Sequence, residues 1–293
     1  MSRPEHIAPP ELFYNESEAG KYTANSRIQA IQSAMARRCL ELLNLPPDDG
    51  APRLILDVGC GSGLSGDVLA EAGHGWVGLD ISADMLEVAV ERGTDGGDVL
   101  RSDAGQGFGF RPALFDGAIS VSAIQWLCYS DKSEHRASRR LATFFASLYR
   151  CMRRGARAAL QVYPERPEQL EMMTTAALKA GFHGGVVVDF PNSTKAKKYF
   201  LCLFAGSDPA SATLPAAKQG DEAAAATTVA YESRRVMRAS GKRKGGGGGG
   251  ADRRPVKSRG WIVAKKESQR RRGDERVRPD SKYTGRKRAG FKV

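Results

Sequence analysis

Residues Leu54 to Gly63 read LILDVGCGSG, an apolar run that carries an acid, Asp57, into glycines at 59, 61 and 63. Glycine there removes side chains where the backbone turns sharply and a ligand must lie against it. Gly61, Gly63 and Gly66 have the spacing of a dinucleotide-binding loop, and Asp80 stands downstream at about the distance at which a carboxylate meets a ribose. Asp57 argues against a dinucleotide, because a pyrophosphate on this loop would face a carboxylate. A ligand that presents an ammonium and a sulfonium suits the same charge, so the loop points to S-adenosylmethionine and methyl transfer. Cys60 and Ser62 lie between the glycines and belong to the same surface. Asp80 is placed to accept both ribose hydroxyls, with Ile81 as an apolar wall for the adenine. Asp103, with Ala104 beside it, is placed to meet the adenine amino group, and Ser120 completes the cofactor set. Plainer readings stay open: a tight turn for the glycines, a buried hydrogen-bonding role for Asp57 and a cap for Asp103.

The methyl acceptor should lie where Ser122-Ala-Ile-Gln125-Trp126 follows a strand. Enzymes that methylate the adenine amino group usually place Asn or Asp, Pro-Pro and an aromatic there, and this chain has Ser and Ala. Pyrimidine-carbon methylation needs a cysteine nucleophile, and Cys128 in Trp-Leu-Cys-Tyr has no such setting. His6, His74, His135 and His183 fall outside the strand-end loops around the pocket, with His135 nearest. An acceptor atom with a free lone pair, such as a ring nitrogen, needs no general base, only in-line placement. Ser122, Gln125, Trp126 and Tyr14 are the positioning candidates, and Trp126, Tyr129 or Tyr14 offer a stacking face unless they serve as core.

These residues need a scaffold. After an irregular start, apolar spacing predicts a helix over Asn25–Leu43, capped by Asn25 or Ser26. Strand and helix patterns then alternate: strands at 53–58, 75–80, near 99–100, 115–121 and 156–163, helices at 65–72, 82–91, about 133–152 and 167–180. Two last runs, 185–190 and 198–205, leave no room for a helix between them and must pair antiparallel. The pattern is α/β, a class I methyltransferase sheet: Rossmann-like, seven-stranded, mostly parallel, with an antiparallel C-terminal hairpin. Residues 1–205 form this domain, 206–252 read as an Ala/Gly-rich linker with six glycines at 245–250, and 253–293 as a basic, largely disordered arm.

The formal charge of +12 is unevenly spread. Residues 1–205 carry 22 Lys+Arg against 24 Asp+Glu, while 206–293 carry 23 against 9, so the tail alone is at +14. Clusters such as Lys242-Arg243-Lys244, Arg270-Arg271-Arg272 and Arg286-Lys287-Arg288 suit RNA phosphates and nuclear targeting, though a charge run can also be a solvated tail. The five cysteines show no C-x-x-C pair, which argues for a reducing compartment and against a zinc site. No signal peptide or membrane span is evident.

The chain resembles the eukaryotic guanine-N(7) methyltransferases of small-subunit (18S) ribosomal RNA. The resemblance rests on PPELFYNESEAGKYT (9–23), LDVGCGSGLSG (56–66), WVGLDIS (76–82), SVSAIQWLC (120–128), KAGFHGGVVVDFPNSTKAKKYFLCLF (179–204) and DSKYTGRKR (280–288), and it covers almost the whole length. It implies methyl transfer to N7 of one guanosine, in accord with the missing base. It also implies action on the small-subunit rRNA in pre-ribosomal particles of the nucleus and nucleolus, and a role in pre-rRNA processing separable from catalysis. A heterodimer with a small zinc-binding activator subunit is implied as well, for which the short third strand is the candidate edge. Two alternatives stay open: an assembly factor with vestigial cofactor binding, and a small-molecule methyltransferase with an incidental tail.

Overall fold

The computed structural model describes residues 3–46, 51–130, 134–193, 195–206, 213–219 and 228–230, with 263, 266 and 279 beyond them. The chain divides into two compact units, residues 1–233 and 234–293. The basic arm expected at 253–293 lies almost entirely outside the described residues, as does the glycine run.

The start is helical rather than irregular. A 3-10 turn at Pro4–His6 precedes α1 (Pro10–Phe13) and α2 (Glu16–Ala24). Asn15 caps α2, its side chain accepting from the Glu18 N–H at 3.2 Å. The helix buries only Ala19 and Thr23, so no large apolar repeat announces it. α3 (Ser26–Leu43) begins where Asn25 accepts from the Arg27 and Ile28 N–H groups at 3.1 Å, and it buries Met35, Cys39, Leu42 and Leu43.

The alternating region gives β1 (Leu54–Val58), α4 (Leu64–Glu71), β2 (Gly75–Asp80), α5 (Ala83–Arg92), β3 (Gly97–Arg101) and β4 (Phe115–Val121). It continues with α6 (Ala137–Cys151), β5 (Met152–Val162), α7 (Pro167–Lys179), β6 (Phe182–Asp189) and β7 (Lys198–Ala205). The strand order is β3-β2-β1-β4-β5-β7-β6, parallel as far as β5, with β7 inserted antiparallel between β5 and β6. This is the expected seven-stranded sheet. An eighth strand, β8 (Thr228–Ala230), adds antiparallel to β6.

Two boundaries moved for physical reasons. β5 starts at Met152, directly off α6, rather than at Ala156, because Met152 pairs with Phe115 across an irregularity in the ladder. β6 starts at Phe182 rather than Gly185. Gly184, at φ +137°, reads as a break, yet it lies in the strand because a Cβ there would strike the Cys202 carbonyl of β7. Within the segment 206–252 expected as linker, Leu214 and Ala217 pack on the core. The Lys218 N–H donates to Asp189 Oδ1 at 2.7 Å, and Asp189 is itself held by Arg38 at 2.9 Å.

Alternate residues of the strands feed opposite faces, which is why the central strands read as continuous apolar runs. Leu56, Val58 and Leu160 pack with Phe144, Phe145 and Leu148 of α6 and Met173 of α7. Ile55, Ile119 and Ala159 face Met35, Cys39 and Leu42 of α3 and Val68 and Leu69 of α4. Each fully buried Leu or Phe contributes about 1.5–3 kcal/mol. The strand order reverses between β1 and β4, and the carboxyl ends of the strands open there into a crevice.

Candidate active site

At that crevice the chain leaves β1 and turns through Gly59–Gly63 into α4. Gly59 sits at φ +73°, and a Cβ on it would overlap that of Ala123 beyond β4, so glycine is required by both backbone and space. The Gly59 and Cys60 N–H groups donate to the Leu79 carbonyl at 2.7 and 3.1 Å, fastening the loop to β2. Asp80 ends β2 with Oδ2 accepting from the Gly61 N–H and Oδ1 from the Ser82 N–H, both at 2.9 Å. Burial raises its pKa, and the backbone N–H groups oppose that shift.

Asp57 is fully buried beneath the loop. Ser65 Oγ donates to its Oδ2 at 2.5 Å, while Oδ1 is buried without a partner among the described residues. Burial pushes its pKa up to about 7, with the Ser65 bond pulling down and Asp80 pushing up. A cavity of about 430 Å³ lies above. Gly59, Cys60, Gly61, Ser62, Asp80, Ile81, Asp103 and Ala104 line it, whereas Asp57, Gly63 and Ser120 stand behind that lining. Ser120 Oγ donates to the Val58 carbonyl at 2.7 Å and so ties β4 to the root of the loop.

Asp103 does more than cap a turn. Its Oδ1 accepts from the Gly105 N–H at 2.9 Å and from Arg140 Nη2 at 2.7 Å, in an ion pair almost wholly buried. Arg140 Nη1 in turn meets His135 Nδ1 at 3.3 Å, so the nearest histidine stands one residue removed from the cavity. Sequence reasoning missed Arg140, because an arginine on an amphipathic helix reads as a solvated face.

The opposite end is built from β4 and the N-terminal helices. Ser122 leaves β4 at φ +59°, a conformation that costs a non-glycine residue about 1 kcal/mol or more, and its Oγ donates to Gln161 Oε1 at 2.7 Å. Gln125 Nε2 donates to the Ser122 carbonyl at 2.7 Å, which folds the loop back and turns Trp126 into the cavity wall. Tyr14 stands against Trp126 with ring centroids 6.2 Å apart, and Phe13 is 6.4 Å from the same ring. Ser82 Oγ donates to the Tyr14 carbonyl at 2.8 Å, joining this wall to the cofactor side. Burial pushes the Tyr14 phenol up to about 12, assisted by Glu5 and Asp80, and burial raises Tyr22 as well. Neither phenol is a base near neutral pH.

All four positioning candidates, Ser122, Gln125, Trp126 and Tyr14, therefore meet in one place. Arg3, Glu5, Tyr22, Gln32, Met85 and Tyr163 join the lining without having been singled out. The Asn15-x-x-Glu18 capping pair was the signal that could have placed the N-terminal helices here. Half-buried Cys128 is outside the lining, and burial pushes its thiol up to about 11, which leaves it no thiolate nucleophile. The residues present fit S-adenosylmethionine: a glycine loop and the Asp80 carboxylate lining one cavity, with an orphaned acid below. Among the described residues there is no group of three His, Cys, Asp or Glu able to hold a metal ion.

Residues 56–160 match the family model described as a methyltransferase domain, and residues 203–290 match one described as a methyltransferase involved in Williams-Beuren syndrome. Among solved structures, a Haemonchus contortus phosphoethanolamine N-methyltransferase 2 in complex with S-adenosyl-L-methionine superposes with a TM-score of 0.51 at 16% identity. That match covers 71% of this chain and 61% of the other, about three fifths of its length, and supports the fold alone. Two curated relatives are far nearer. The 18S rRNA (guanine-N(7))-methyltransferase of Mus musculus is 52% identical over 287 residues, covering 98% of this chain and 96% of that protein. That of Arabidopsis thaliana is 50% identical over 287 residues, covering 98% of each. With the glycine loop and the Tyr14–Trp126 pair lining one cavity and identity of this extent over nearly the full length, the chain belongs to the 18S rRNA (guanine-N(7))-methyltransferase family.

Proposed function

We propose that this protein methylates N7 of a guanosine in the small-subunit ribosomal RNA. The observation that carries the reading is one cavity with a donor end at Gly59–Ser62, Asp80 and Asp103 and an aromatic acceptor end at Tyr14 and Trp126, with no histidine in its lining. S-adenosylmethionine supplies an electrophilic methyl carbon, and the N7 lone pair forms the new C–N bond as the S–C pair stays on sulfur. No proton moves, which suits a lining whose phenols stay protonated. The chain contributes orientation: Asp80 holds the donor's ribose end, and the edge-to-face Tyr14–Trp126 pair offers the acceptor ring one aromatic surface and excludes water there.

Substituting Gly61→Glu drives a side chain into the lining and should abolish 7-methylguanosine in 18S rRNA, read by reverse-transcription stops after borohydride and aniline cleavage. Retention of the mark would sink the site assignment. Loss of the mark with pre-rRNA processing intact would speak for a second role as an assembly factor, the reading that the +14 tail favours.

The finer partners belong to the same proposal. β3 is an outer strand, with Leu100 at 49% and the neighbouring Val90 of α5 at 64% exposure. An outer strand that exposes Leu100 between the charged Asp98 and Arg101 suits strand addition by a small zinc-binding activator subunit, the zinc being the partner's own. The arm at 253–293 supplies the cationic grip on rRNA that a catalytic domain at −2 lacks, and its clusters suit delivery to the nucleus and nucleolus.

A further inference from the structure

Glu5 is a carboxylate in the wrong place for a structural residue. It sits in the 3-10 turn at Pro4–His6, outside the sheet, is 9% exposed and lines the acceptor end of the cavity. Its Oε1 accepts from Gln125 Nε2 at 3.3 Å, a long bond for a buried charge. Among the described residues no cation pairs with it. Arg3, two residues away, donates instead to the Tyr163 and Pro164 carbonyls at 2.8 and 3.3 Å. Gln125 Oε1 is buried beside it with no partner among the described residues. A carboxylate held by one long bond next to an orphaned amide oxygen leaves acceptor capacity in the cavity wall that a ligand's donors can fill.

We propose that Glu5, steadied by Gln125, reads the Watson–Crick edge of the acceptor guanine, accepting from N1–H and the 2-amino group. This rests on the guanine-N7 reading and supplies its base selectivity. Guanine offers two adjacent donors on that edge, whereas adenine presents an acceptor at N1 and would set a lone pair against the carboxylate. N7 lies across the bicycle from N1 and the 2-amino group. A carboxylate that holds the edge at the Glu5 end therefore turns N7 toward Gly61 and Asp80, while the Tyr14–Trp126 wall offers the base an aromatic surface.

The experiment first maps the methylated position with the unmutated full-length protein; absence of 7-methylguanosine at this step would overturn the underlying reading and this proposal with it, whereas the later steps test this proposal alone. Small-subunit rRNA is then assembled by splinted ligation with guanosine or inosine at that position, inosine lacking only the 2-amino group. The unmutated protein should prefer guanosine by roughly 10-fold or more. Glu5→Gln, which puts an amide donor against the base's donors, should slow transfer to guanosine by roughly 10- to 100-fold and bring the guanosine/inosine ratio near one. Its S-adenosylmethionine affinity should stay within about twofold, since among the described residues the Glu5 side chain bonds Gln125 and not the donor loop. A ratio near one in the unmutated protein, which needs no variant to fold, would overturn the proposal. So would an unchanged ratio in E5Q, or a loss of cofactor affinity that places Glu5 in the donor site.

Discussion

Asp57 is an acid whose burial, not its partners, sets its behaviour. In the folded chain its pKa is about 7, against an ordinary 3.8 when unfolded, so the native state binds a proton more tightly than the unfolded one does. A raised carboxyl pKa contributes stability that is complete below pH ~4 and is lost as pH climbs through ~7. The ligand-free protein should therefore lose thermal stability between about pH 4 and 7, with a smaller loss in Asp57→Asn, both followed by melting. Identical slopes would show that Asp57 is not the group responsible. Cationic cofactor favours the ionised acid, so its affinity should rise over the same pH range. The sequence sets this carboxylate directly before the glycine loop as a cofactor residue, whereas the fold puts it behind the cavity lining. That depended on Ser65, which a reading of charges and glycines gave no reason to inspect.

At the scale of elements, what the sequence reveals is what repeats. The parallel strands are buried on both faces, so Leu54–Val58 and Phe115–Val121 stand out as apolar runs, and Asn25 marks the start of α3 by its cap. α1 has four residues and α2 hides only Ala19 and Thr23, so neither offers a period to detect, although together they form the acceptor wall. Asp103 was found and Arg140 was not, because only tertiary packing makes an arginine of α6 a buried counter-ion. The exposed edge strand makes a prediction of its own. Leu100→Lys should change the stability of the isolated chain by no more than about 0.5 kcal/mol, since half of that side chain is already in water. On the proposed heterodimer, co-expression with a small zinc-binding activator subunit should give a complex with the unmutated chain and none with Leu100→Lys, as read by size exclusion. Unimpaired assembly would move the docking surface elsewhere.

For the whole molecule the proposed division of labour is between a near-neutral catalytic domain and a cationic tail. Deleting 234–293 should leave S-adenosylmethionine affinity unchanged, weaken rRNA binding at low salt by roughly 100-fold or more, and flatten the dependence of log affinity on log salt. A truncated protein that binds rRNA with an unaltered salt slope would deny the tail its role. Within the catalytic unit, the two halves of the cavity differ in how far apart their parts are encoded. The donor site is assembled from residues 57–104, contiguous in the chain. The acceptor site joins Glu5 to Gln125 and Arg3 to Tyr163, a separation of 160 positions for the latter pair. Closing that long loop is slow compared with local pairing, and a polypeptide emerging from the ribosome cannot close it until β5 has been synthesised. Cofactor binding should therefore recover before rRNA methylation during refolding, so that each new copy of this ribosome-modifying enzyme is able to hold its methyl donor before it is able to use it.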